Sequence, residues 1–287
     1  GEMARLTKIA KPDTCVITNI GTCHLENLGD RDGVLKAKTE IFQSMKPNGH
    51  IVLNGDDDKL ITVREYNGVK PVFFGLNSER DVYADQIESK GLKGVACRIH
   101  LGEDAFDVLV PTPGIHMVYN ALAAAAVGRI YGLTIEEIRR GIESLETIRG
   151  RFKMIETDKF LVVDDCYNAN PMSMKASLDV LHDGEGRRVA ILGDMGELGE
   201  DEAALHEGVG IHAAICGIDA CVCVGDLAVH IAEAARKANP DFPVYYEKTR
   251  ESLLEHLNDY VQKGDTILVK ASHFMKFEEV VKALEEM

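Results

Sequence analysis

Val162-Val163-Asp164-Asp165-Cys166-Tyr167-Asn168-Ala169-Asn170-Pro171-Met172-Ser173-Met174 is the stretch from which the fold of this chain is read. The apolar run from Phe160 to Val163 predicts a strand that ends in two acids. After a polar loop, Asn170-Pro171 stops any continuation of the strand and opens a helix. Proline lacks the N–H that a β-ladder needs, and its fixed φ suits a first helical turn. Two carboxylates, a phenol and two carboxamides therefore stand at the carboxyl end of a strand, where open α/β sheets bind ligands. The plainer reading of the same residues is an acidic turn followed by a helix cap.

Downstream, strand and helix patterns alternate. Strands are expected at 189–194, 220–225, 243–246 and 266–272, and helices at 173–183, 201–215, 227–238, 249–262 and 276–286. Alternation of this kind makes a parallel, doubly wound sheet with right-handed crossovers. Gly193-Asp194-Met195-Gly196-Glu197-Leu198-Gly199 ends the first of these strands. Its glycine spacing is wrong for a dinucleotide fingerprint, and its acids would repel a pyrophosphate. Acids suit a cationic amine instead, which they orient by charge-assisted hydrogen bonds.

Upstream, residues 1–9 carry a helical stripe of Met3, Leu6 and Ile9, closed by Lys11-Pro12-Asp13. A strand at 14–20 runs into Gly21-Thr22-Cys23-His24-Leu25-Glu26-Asn27. A helix from about 32 to 45 then sets Val34, Leu35, Ala37, Ile41 and Phe42 on one side, with Lys36, Lys38 and Glu40 on others. The strand at 50–54 ends in Asn54-Gly55-Asp56-Asp57-Asp58, where Asp57 and Asp58 read as caps of a helix starting near Lys59. After a strand at 70–75, residues 82–110 alternate in short runs with a Gly-Leu-Lys-Gly turn at 91–94, which predicts an antiparallel hairpin or meander. Pro113-Gly114 opens an Ala-rich helix bearing Asn120, and Thr134-Ile135-Glu136-Glu137 is a capping box. Ile148-Arg149-Gly150-Arg151-Phe152 reads as a hinge.

The 287 residues allow roughly two domains with their own cores. A net charge of -15, without a Lys/Arg-rich block, argues against a nucleic-acid binder but not against a nucleotide. No apolar run approaches the roughly 20 residues of a membrane span, so no membrane insertion is expected. The seven scattered cysteines fit a reducing cytoplasm, with Cys221 and Cys223 as small core residues of a buried strand. The chain opens inside a helical pattern without a start signal, so the expectation is a fragment that begins within a domain.

Together these strings resemble the Mur ligases, within them most closely the branch that adds D-alanyl-D-alanine to the cell-wall nucleotide precursor. The carriers are His24-Leu25-Glu26 with Lys36-Ala37-Lys38-Thr39-Glu40-Ile41-Phe42, Asp164 to Pro171, Gly193 to Gly199 with His206, and Val269-Lys270-Ala271-Ser272-His273. The resemblance implies an α/β chain in two parts. Residues 1–148 would be part of the central ATPase domain, a mostly parallel sheet with an antiparallel hairpin. Residues 149–287 would be a complete, Rossmann-like, doubly wound C-terminal domain.

It further implies ATP and Mg²⁺, with His24 and Lys38 as catalytic residues and metal ligands, Lys38 being carbamylated by CO₂. An ammonium repels Mg²⁺, whereas a carbamate offers the oxygens that Mg²⁺ prefers. ATP would be met by Asn120 (adenine), Arg151 (phosphates), Asp164 (ribose), Tyr167 and Asn54. The substrate side would comprise Asn168, Asn170, Ser173, Asp194, Glu197, His206, Lys270 and Ser272. Met117, Ala271 and His273 depart from the family's usual asparagine, glycine and arginine. The implied partners are UDP-N-acetylmuramoyl-tripeptide and D-alanyl-D-alanine, joined through an acyl phosphate by a monomeric enzyme. The sequence holds no G-x-x-x-x-G-K-[ST] loop, so little activity is expected of this chain alone. Two alternatives stay open: another amino-acid ligase of the superfamily, such as a folylpolyglutamate synthase or the ligase of the third residue, and a non-catalytic nucleotide-binding module. The Gly193–Gly199 segment speaks against the first, and the joint presence of His24, Lys38, Asn120, Arg151 and Asp164 against the second.

Overall fold

The computed structural model describes residues 1–21 and 28–287. The chain divides into two compact units, Gly1–Glu146 and Thr147–Met287.

The first unit contains α1 (Glu2–Ala10), β1 (Thr14–Ile17), α2 (Arg31–Thr39), β2 (His50–Asn54), β3 (Val72–Gly75), β4 (Val82–Ser89), β5 (Val95–Leu101), β6 (Asp104–Val110), α3 (Ile115–Ile130) and α4 (Ile135–Glu143). Its sheet runs in chain order from β1 to β6. β1 to β4 pair in parallel, and β4 to β6 form the expected antiparallel meander. Alternation along β2 sends Ile51 and Leu53 into one core with Val34 and Phe42, and Val52 into another with Val118 and Leu122 of α3. Both faces of the sheet are thus covered.

Three local expectations shift. α2 gives way at Thr39 to a 3₁₀ turn, Glu40–Ser44, as the Thr39 hydroxyl donates to the Leu35 and Lys36 carbonyls at 2.9 and 3.1 Å. β3 starts after Pro71, which has no N–H for the ladder. α1 forms, but its apolar stripe is not its buried face: Leu6 and Ile9 are 59% and 81% exposed. Thr7 is buried instead, donating to the Ile41 carbonyl at 2.8 Å.

The second unit contains β7 (Lys153–Glu156), β8 (Leu161–Asp164), α5 (Pro171–His182), β9 (Arg188–Gly193), α6 (Glu202–Ile215), β10 (Ala220–Val224), α7 (Ala228–Ala238), β11 (Val244–Glu247), α8 (Arg250–Tyr260), β12 (Thr266–Lys270) and α9 (Glu278–Glu286). The strand order is β11-β10-β9-β12-β8-β7, parallel except for β7. Val162, Val189, Ile191, Val222, Val224, Ile267 and Val269 fill one core, and the residues alternating with them are also buried. That is the pattern of a sheet covered on both faces. β12 inserts between β8 and β9, so the carboxyl ends of these three strands lie side by side at the switch in strand order.

Candidate functional site

In the first unit the described candidate residues lie at the end of α2, at the carboxyl end of β2 and on α3. Lys38, half-buried on α2, donates to the Asn19 carbonyl at 2.8 Å. Asp57 supports the same stretch: it accepts from Ile20 N at 2.7 Å while its other oxygen caps Lys59 N and Leu60 N, each at 3.0 Å. Asp58, read from sequence as a cap, instead pairs with Arg31. Asn54 joins two loops, donating to the Thr18 carbonyl at 3.0 Å and accepting from Asp56 N at 2.9 Å. His24 lies outside the described residues. Among the described residues no group of three His, Cys, Asp or Glu is arranged to hold a metal.

Asn120 is exposed on α3 and donates to Met117 Sδ at 3.4 Å. Both border a cavity of about 480 Å³ between α3, α4 and the end of β6, walled by Val110, Ala121, Ala124 and Ile138 among others. Tyr119, next to Asn120, donates to Asp56 at 3.2 Å, and burial together with the Asp56 charge pushes its phenol up to about 12.

In the second unit the loops after β8, β9 and β12 are stitched together. Asp165, noted in the sequence as one of two strand-end acids but given no role there, is the centre of this stitching. Lys270 Nζ donates to Asp165 Oδ2 at 2.6 Å, Ser177 Oγ donates to the same oxygen at 2.7 Å, and Phe152 N donates to Oδ1 at 3.2 Å. Lys270 also reaches the Asn168 carbonyl at 3.1 Å and is only 3% exposed. Two successive acids at a strand end were the available signal, since alternating residues face different surroundings.

Several residues expected to meet ligands are occupied inside the protein. Asp164 is 2% exposed and accepts from Gly150 N at 2.8 Å, so it shapes the Gly150 turn. A Cβ on Gly150 (φ +75°) would lie 3.1 Å from Tyr167 Cβ, which is why glycine stands there. Asn170 and Ser173 cap each other: Ser173 N donates to Asn170 Oδ1 at 2.9 Å and Asn170 N to Ser173 Oγ at 3.1 Å, opening α5 with Pro171 in its first turn. Lys270 is a buried brace of these loops.

His206 is fully buried. Its Nε2 accepts from Met195 N at 2.9 Å, which leaves Nδ1 as the protonated nitrogen, 2.6 Å from the Glu202 carbonyl. Burial pushes this imidazole below its ordinary range, so it is a neutral prop of the 194–199 loop. Asp194 caps α7 through Leu227 N and Ala228 N at 3.1 and 2.7 Å. Its burial pushes the carboxyl up, partly opposed by those amides. Ser272 Oγ accepts from Gly196 N at 2.9 Å, joining the 194–199 loop to the end of β12.

What faces outward is therefore a short set. Arg151 lies over the Tyr167 ring, its Cζ 3.9 Å from the centroid, in a cation–π contact. Tyr167 also meets the His273 ring at 5.4 Å. Asn168 and Glu197 are exposed, Glu197 with a left-handed backbone (φ 60°). Arg149, Gly150, Tyr167, His273 and Glu278 frame a cleft of about 150 Å³.

Comparison with known proteins agrees along the whole chain. Residues 1–128 match the Mur ligase middle domain, and residues 150–273 match the domain described as Mur ligase, glutamate ligase domain. The UDP-N-acetylmuramoyl-tripeptide–D-alanyl-D-alanine ligase of Bacillus subtilis strain 168 is 36% identical over 289 residues, covering 100% of this chain and 62% of that protein. A crystal structure of MurF from Acinetobacter baumannii superposes with a TM-score of 0.89 at 31% identity, over 99% of this chain and 62% of that one. MurF from Thermotoga maritima in complex with ADP gives 0.84 at 28% identity, over 100% of this chain and 64% of that one. The chain spans about six tenths of the length of these relatives.

Proposed function

The chain belongs to the Mur ligase family, and from that premise we propose that it serves an ATP-dependent amide ligase adding D-alanyl-D-alanine to UDP-N-acetylmuramoyl-tripeptide. The terminal carboxylate of the tripeptide takes the γ-phosphoryl group of ATP, leaving ADP. The dipeptide amine then attacks the acyl carbon, a C–N bond forms, the amine loses a proton, and phosphate leaves. The observation that carries this reading is the similarity over the whole chain to ligases of that name, 36% identity in the Bacillus subtilis protein.

In the first unit, the apolar cavity beside Asn120 suits the flat face of an adenine, with one carboxamide for its polar edge. Met117 supplies a polarizable thioether where a second amide would stand, so ring contact carries more of the recognition. Lys38 fits a metal-ligand role as its carbamate: the half-buried amine already shares its surroundings with a backbone carbonyl, an oxygen of the kind Mg²⁺ accepts. His24 would be the second protein ligand. Mg²⁺ bound there would offset negative charge as the carboxylate meets the γ-phosphate. In the second unit, Arg151 can leave the Tyr167 ring for a phosphate, while Asp164, Asp165 and Lys270 hold the loop from which it acts. The acid-bearing 194–199 loop, propped by His206 and Ser272, would receive the dipeptide amine. Both substrates are water-soluble, which fits a monomeric enzyme of the cytoplasm.

The test joins this chain behind the N-terminal part of the Bacillus subtilis relative and follows ADP release. Release that requires D-alanyl-D-alanine is expected. Release driven by glutamate, lysine or diaminopimelate, and indifferent to the dipeptide, would move the assignment to another ligase.

A further inference from the structure

Phe274 stands out from every other phenylalanine in the chain. Of the nine, seven are buried and Phe73 is half-buried, whereas Phe274 is 61% exposed. It is not on a loose tail. The turn His273–Met275 that carries it follows the central strand β12 and is closed by Met275 N to the Ser272 carbonyl and Lys276 N to the His273 carbonyl, at 3.0 and 3.1 Å. Ala271 and Phe277, both fully buried, anchor it on either side. The backbone thus holds the ring out in a fixed place.

That place is the 194–199 loop. A Cβ on Gly196 would lie 3.0 Å from Phe274 Cε1 and 3.9 Å from Ser272 Oγ. The ring therefore lies against the bare backbone of Gly196, directly before the exposed acid Glu197 and beside the hydroxyl that receives the Gly196 N–H. On the other side of the turn, His273 meets Tyr167. An apolar ring packed on the backbone of a loop that also carries an exposed acid matches a ligand with both an ammonium group and a small apolar side chain.

We propose that Phe274 is a specificity-determining residue of the dipeptide site, its ring packing on a methyl group of D-alanyl-D-alanine; this rests on the function proposed above. One methyl group against an apolar wall discriminates by about tenfold or somewhat more. Gly196 belongs to the same device, because any side chain there would push the ring from its position.

The experiment titrates D-alanyl-D-alanine and glycyl-glycine separately into this chain, with saturation-transfer NMR irradiating the aromatic protons. Wild type is expected to prefer D-alanyl-D-alanine by about tenfold, with strong transfer to one methyl signal. Phe274→Ala should cut the preference to about twofold and abolish that transfer, while Phe274→Leu keeps most of the preference. Gly196→Ala should weaken the preference with Phe274 still present. If wild type binds neither dipeptide, the proposal is overturned, and dipeptide-dependent ADP release by the chimera decides the functional reading separately. If it binds D-alanyl-D-alanine and Phe274→Ala leaves the ratio unchanged, the proposal is overturned and the functional reading stands.

Discussion

Replacing Lys270 by methionine removes the cation at the centre of the second unit's strand-end loops while keeping the length of the side chain. Lys270 is 3% exposed and its partner Asp165 16%. Removing one member of a buried ion pair costs about 3–5 kcal/mol, chiefly because the remaining charge is stranded. Asp165 keeps Ser177 Oγ and Phe152 N as donors and some access to water, so the expected cost is lower, about 2–3 kcal/mol. For a unit of this size that corresponds to a drop of roughly 5–10 °C in midpoint. The chain has no tryptophan, so unfolding in urea is best followed by far-UV circular dichroism, with hydrogen-exchange mass spectrometry assigning the loss to residues 147–287. Adding Asp165→Asn to the Lys270→Met variant should recover about 1 kcal/mol or more, because the stranded charge disappears while the amide oxygen keeps Phe152 N and the amide nitrogen donates to Ser177 Oγ, whose hydroxyl retains the Ser173 carbonyl. A loss under about 1 kcal/mol for Lys270→Met, or a double variant at the sum of its singles, would refute the idea that this pair braces the loops.

Two further outcomes are expected. His206 is held neutral by burial, with its value pushed down, so its contribution to stability is present above the unfolded value of about 6.5 and is lost as pH falls below it. Urea midpoints measured from about pH 7 to 5 should fall for wild type and be flatter for His206→Gln; equal slopes would count against a buried neutral imidazole. Incubating the chain with ¹³C-bicarbonate should give a carbamate carbon signal that Lys38→Ala removes. A signal that survives this substitution would place the carbamate elsewhere.

The local grammar of this chain was legible without coordinates. Asn170-Pro171 does open a helix, Thr134 and Glu137 do form a capping box, and residues 82–110 do turn antiparallel. Each signal is read within a few residues, by a missing N–H, a side chain reaching its own helix terminus, or a period of two. The strand–helix alternation after residue 186 gave the parallel sheet for the same reason, and the motif resemblance gave the family.

Tertiary structure alone decided which protein groups each motif residue meets. Asp164, Asn170, Ser173, His206 and Lys270 all carry polar groups, and each holds a loop or a helix end through them. For Lys270 the partner is 105 residues away, and no local pattern reports so distant a pairing. The same holds for α1, whose apolar stripe is visible in the sequence while Thr7 is the residue that docks. Periodicity tells which face of a helix is apolar; which face is covered depends on what the rest of the chain brings against it. Phe274 is the converse case, an apolar residue in an ordinary-looking turn. Only the fixed backbone between Ala271 and Phe277 shows that its ring is held outward against Gly196.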